Sequence, residues 1–160
     1  MPKTEEELTL AMVRLLQENE VAVGAYYAAC AVTFPQHRNQ WLYLQAQEDE
    51  HALTMGKIEQ AVKARPHLWK RGRVAPETVR YLAEEVRKKT AAVRDGKLEM
   101  KYALSFIIDV ESSMIEKELL SAVQTGDVEL EAQLLRLRNE TEDHRQRLTN
   151  LLIACRTGGA

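Results

Sequence analysis

The chain has 160 residues, a formal net charge of −2, and hydrophobic and charged fractions of 45% and 29%. That length suits one domain with a sizeable core. The near-neutral charge gives no reason to expect nucleic acid, and no run approaches the roughly 18 apolar residues that a membrane span needs.

With only 7 Gly and 4 Pro, long uninterrupted helices are expected. Thr4 followed by Glu7 matches a capping box, so a first helix is predicted over about 4–32, with Leu8, Met12, Leu16, Val23 and Tyr27 on one stripe. The acids at this terminus stand where a secretory signal would carry basic and apolar residues, so the chain is expected to be cytoplasmic. Phe34-Pro35 breaks the helix, and a second one is predicted over about 36–65, where Pro66 stops it. The connection that follows holds Trp69 and a small basic run read as a solvated loop. In it, Pro76 opens a shorter, highly charged helix to about residue 93. Gly96 is a stop signal, followed by a third long helix over about 98–123. Gly126-Asp127 makes a turn with Asp127 as N-cap of a last helix over about 127–155. No segment reads as a strand. Cys30 and Cys155 lack a C-x-x-C partner and lie on apolar faces, so both are expected to be buried thiols.

The pattern is all-α: two long hairpins joined by a crossover of about thirty residues, the layout of a four-helix bundle with a short extra helix in its long connection. Each of the four long stripes carries a polar residue near mid-length where a Leu would belong. Glu20 lies between Leu16 and Val23. Glu48 and His51, three apart and therefore on one face, lie among Trp41, Leu44, Met55, Ile58 and Val62. Glu111 is flanked by Ile107, Ile108, Met114 and Ile115, and Thr141 and His144 fall within the leucine series from Leu130 to Leu151. His37 and His67 lie near helix breaks and are expected to face solvent.

Taken singly, a stripe glutamate is as often a rotated surface residue, and a stripe histidine is usually a hydrogen-bonded core residue. Three carboxylates and two imidazoles at one height would repel one another and cost several kcal/mol per buried charge without a cation. Carboxylate and imidazole suit Fe or Mn, and the lack of thiolates argues against a structural zinc site.

Glu20 on one helix, Glu48-x-x-His51 on the next, then Glu111 and His144 after a crossover, resemble the ferritin-like superfamily and, within it, the rubrerythrin-type diiron domain without its rubredoxin part. The likeness spans about residues 4–155. It implies one metal on Glu20 and His51, another on Glu111 and His144, and Glu48 between them. It also implies two irons per chain (Mn or Zn being alternatives) and Fe(II) oxidation by O2 or peroxide reduction, with electrons from an external donor or from Fe(II) itself. Tyr27 matches the tyrosine common at that place, as a residue behind the ligands, although a plain core role is the simpler expectation.

The pattern breaks at Thr141, where a second Glu-x-x-His would carry a bridging carboxylate. Glu140, four residues before His144, and Glu118, roughly 10.5 Å along the axis from Glu111, are the candidate replacements, with water the third option. This gap keeps open a different class: a degenerate bundle holding one metal or none, acting in sequestration or as an interaction module. A homodimer is expected, with Tyr26, Tyr43 and Trp69 as exposed anchors.

Overall fold

The computed structural model describes residues 1–116 and 119–158. Helix accounts for 83% of the structure, in agreement with an all-α chain. Five α-helices are described: α1 (Glu5–Thr33), α2 (Arg38–Ala64), α3 (Pro76–Arg94), α4 (Met100–Glu116) and α5 (Val128–Arg156).

Their ends lie where local chemistry sets them. Glu7 N–H donates to Thr4 Oγ1 at 3.1 Å and Thr4 N–H to Glu7 Oε2 at 2.7 Å, closing the capping box of α1. A turn of 3₁₀ helix at Pro35–His37 joins α1 to α2, and a similar turn at Pro66–Leu68 follows α2. Gly96, at φ +70°, ends α3, with Lys97 N–H bonded to Ala92 O. Asp127 caps α5 by accepting from Leu130 N–H at 3.1 Å.

Two departures from the sequence expectation involve one feature. The third long helix does not reach residue 123: α4 is described only to Glu116, and a 3₁₀ turn at Leu119–Ser121 is followed by a strand, β2 (Val123–Thr125). β2 pairs antiparallel with β1 (Trp69–Arg71), Lys70 opposite Gln124, so the expectation of no strand is overturned. Three residues per strand are too few for a periodicity signal. Gly72 permits the close approach at the end of the pair. A Cβ there would stand 2.2 Å from Ser121 O, and Gly72 N–H donates to Ala122 O at 2.8 Å.

α1 packs along α2 on one side and α3 on another, and α4 packs along α5. α1 therefore buries most of its circumference, including Val23, Tyr26, Tyr27, Cys30 and Ala31. This explains why Tyr26, expected as an exposed anchor, is fully buried; its hydroxyl donates to Ala103 O at 2.6 Å. Trp69 is buried as well, on a strand that packs against α1, so only Tyr43 of the three expected anchors is exposed, at 41%. Cys30 is buried and Cys155 half-buried, and both are free thiols. His67 is exposed, whereas His37 is half-buried. No described helix is long and apolar enough to cross a membrane.

Candidate metal centre

The stripes that carry the polar residues face inward. On α2, Trp41, Leu44, Glu48, His51, Met55, Ile58 and Val62 are all buried, so the carboxylate and the imidazole are carried into the core by the apolar residues on either side. Glu20, Glu48, His51, Glu111, Thr141 and His144 are buried as well, each at 1% exposure or less.

They meet in two groups that share one residue. Ligand atoms of Glu20, Glu48 and His51 lie within 4.8 Å of one another, and so do those of Glu48, Glu111 and His144. His51 Nδ1 is 3.5 Å from Glu20 Oε2 and 3.4 Å from Glu48 Oε2. His144 Nδ1 is 2.9 Å from Glu48 Oε1 and 3.6 Å from Glu111 Oε1. The two oxygens of Glu48 thus face different imidazoles, whose rings stack at 5.4 Å between centroids and 18° between planes. At Gly24, beside this point, a Cβ would stand 3.4 Å from Glu48 Cβ, in ordinary van der Waals contact, so α1 runs close against α2 here.

Proximity here is not hydrogen bonding. Both oxygens of Glu20, Oε2 of Glu48, Oε2 of Glu111, Nδ1 of His51 and both ring nitrogens of His144 are buried without a hydrogen-bond partner. Buried polar atoms in such numbers are costly, and native cores pair nearly all of them. Oxygen and imidazole nitrogen donors with no thiol among them suit a hard or borderline divalent ion such as Fe or Mn. The residues present therefore fit a metal.

Charge perturbation has the same cause. Burial raises the Glu20 carboxyl well above its ordinary value, and the neighbouring Glu48 charge pushes the same way. Burial also raises Glu111. At Glu48, burial is outweighed by the neighbouring Glu20 carboxyl and by the two imidazoles, which hold it below the carboxylate range. Burial opposes protonation of His51, but Glu20 and Glu48 outweigh it and lift the imidazole to about 11. His144 is lifted to about 9 by Glu111 and Glu48, again against burial. Without metal, protons hold the cluster together.

Tyr27 donates to Glu111 Oε1 at 2.5 Å, and burial pushes its hydroxyl well above the ordinary tyrosine value. The position expected of a residue behind the ligands and the position of a core aromatic are here the same one. Thr141 Oγ1 donates to Leu137 O at 2.9 Å, so its hydroxyl is used within its own helix. Glu140 joins neither group. Its Oε2 lies 2.7 Å from His51 Nε2, the nitrogen opposite the one facing Glu20 and Glu48, and its Oε1 accepts from Arg136 Nε at 2.7 Å. Glu118 lies outside the described residues.

Sequence reasoning missed Arg136, although its i,i+4 spacing to Glu140 was a usable signal. It also missed Asn19, which is buried beside Glu20 with Oδ1 unpartnered and Nδ2 donating to Met114 sulfur at 3.6 Å. No family model, curated protein or solved structure matches the chain.

Proposed function

We propose that this chain is a ferritin-like four-helix-bundle protein of rubrerythrin type that binds two iron ions and uses them to oxidise Fe(II) with O2 or to reduce peroxide. The observation that carries the reading is Glu48, whose two oxygens each belong to a different carboxylate–imidazole group. Glu20 and His51 would hold one ion, Glu111 and His144 the other, and Glu48 would lie between them. Two irons held as neighbours supply a two-electron change to O2 or peroxide, with an external electron donor restoring them.

The chain's own residues do the rest. The flanking apolar stripes keep bulk water out. Tyr27 holds the Glu111 carboxylate in place through its hydroxyl. Glu140 fixes the tautomer of His51: with Nε2–H donated to Glu140, Nδ1 is left with its lone pair toward Glu20 and Glu48. A cytoplasmic homodimer completes the reading, its contact resting on Tyr43 alone of the three anchors.

A second reading is favoured by Thr141. With three carboxylates in place of four, one metal or none would be held, and the protein would serve in sequestration or as an interaction module. Anaerobic addition of Fe(II), followed by O2 or peroxide, separates the two. Two irons per chain and a near-UV band that grows as oxidant is consumed are expected. One iron without oxidant consumption would support sequestration, and no retained iron would leave the interaction module.

A further inference from the structure

Of the five inward donors, His51 also reaches an outward-opening cleft. A cavity of about 390 Å³ opens between α2 and α5, and His51, Glu140, Arg136, Thr54 and Lys57 are among the residues that line it. The His51 side chain is only 2% exposed, because Glu140 stands over its Nε2 edge, and Glu140 itself is 23% exposed. Glu140 is held in turn by Arg136, which is 74% exposed. From solvent inward the order is therefore guanidinium, carboxylate, imidazole, and then the buried donors. α2 and α5 make far less backbone contact with each other than α2 makes with α1, so this seam is one of the loosely closed sides of the site.

We propose that this cleft is the route by which divalent cations reach the centre, with the His51 ring as the door and its hydrogen bond to Glu140 as the latch. This rests on the di-metal reading above. While Glu140 holds Nε2, the ring blocks the inner end of the cavity. When Glu140 turns away with Arg136 into solvent, the ring is free to rotate and an ion passes beside it.

A latch lies on the path in both directions, so weakening it speeds entry as well as exit, release gaining further from the tautomer control lost with Glu140. A residue that merely positions His51 would affect retention alone. The test is stopped-flow uptake and chelator-driven release of Co(II), read by its visible absorption in the full-length protein. Glu140→Ala is expected to raise both rates about tenfold, the effect of losing one charge-assisted hydrogen bond. Glu140→Gln, which keeps an acceptor for Nε2–H, should fall between it and the wild type. Thr54→Trp, which fills the cleft one turn from His51 and removes no donor, is expected to slow uptake about tenfold while two Co(II) are still bound. Uptake unchanged in Glu140→Ala with faster release would reduce Glu140 to a positioning residue, and unchanged uptake in Thr54→Trp would place the route elsewhere. A wild-type chain that takes up no Co(II) would overturn the di-metal reading itself, an outcome distinct from both.

Discussion

Glu20 carries the sharpest conflict in the protein. Both its oxygens are buried without a hydrogen-bond partner, and Glu48 repels its charge. In the metal-free protein this carboxylate is a liability, and in the loaded protein it is a ligand. Glu20→Gln is nearly isosteric and cannot ionise, so its effects should have opposite signs in the two states. The metal-free variant is expected to be more stable than wild type by about 1–3 kcal/mol, the scale of a buried group's desolvation. That corresponds to a rise of roughly 2–4 °C in Tm per kcal/mol for a chain of this size. With metal present, the same variant should be the less stable of the two. Thermal melts in chelator and in excess Mn(II) give both numbers, and a fall in both would make Glu20 an ordinary structural residue.

At the scale of elements, the helix starts and stops were legible because each rests on local chemistry: the Thr4–Glu7 box, the prolines at 35, 66 and 76, Gly96 and the Asp127 cap. The inward faces were legible too, since a helical stripe needs only its own spacing to be seen. What could not be read is whatever depends on partners distant in sequence. The pairing of Trp69–Arg71 with Val123–Thr125 joins short segments about fifty residues apart, and it cut the expected third helix short. The burial of Tyr26 follows from α1 being covered on several sides, and the engagement of Glu140 by His51 crosses from α5 to α2. Gly72 tests the strand pair. Gly72→Ala would drive a methyl group to 2.2 Å from Ser121 O, and the chain must move to relieve it. A cost of about 1–3 kcal/mol is expected, against less than about 0.5 kcal/mol for Gly126→Ala, where a Cβ meets nothing within 4 Å. Denaturant melts of the two variants make the comparison, and equal midpoints would show that the pair bears no load.

For the molecule as a whole, pH should reveal the cluster. His51 and His144 titrate higher folded than unfolded, at about 11 and about 9 against an ordinary value of 6.5. Each contributes its full stability below about pH 6.5, and that contribution is lost as pH rises through the folded values, because the unfolded chain releases its protons first. Glu48, held below its ordinary 4.5, contributes above that value and loses it in acid. Burial keeps Glu20 and Glu111 protonated above 4.5, so they oppose folding as pH climbs past it. The metal-free protein should thus be most stable at about pH 5–6 and weaken steadily toward pH 9.5. Metal competes with those same protons, so the gain in Tm on adding Co(II) should grow from pH 5 to 8. A metal-free Tm that is flat or rising from pH 6 to 9.5 would deny that the imidazoles are held by the carboxylates.

The site itself was legible to the extent that intruding polar residues at one height on four stripes can be counted. Its pairing through Glu48 was not, since that depends on how the helices turn toward one another. The most direct measurement is therefore of position: anomalous diffraction from crystals soaked in Mn(II) or Fe(II). Two peaks are expected on either side of Glu48, one beside Glu20 and His51 and the other beside Glu111 and His144. Peaks only at surface carboxylates, or none at all with Glu20 and Glu48 still buried, would contradict the account.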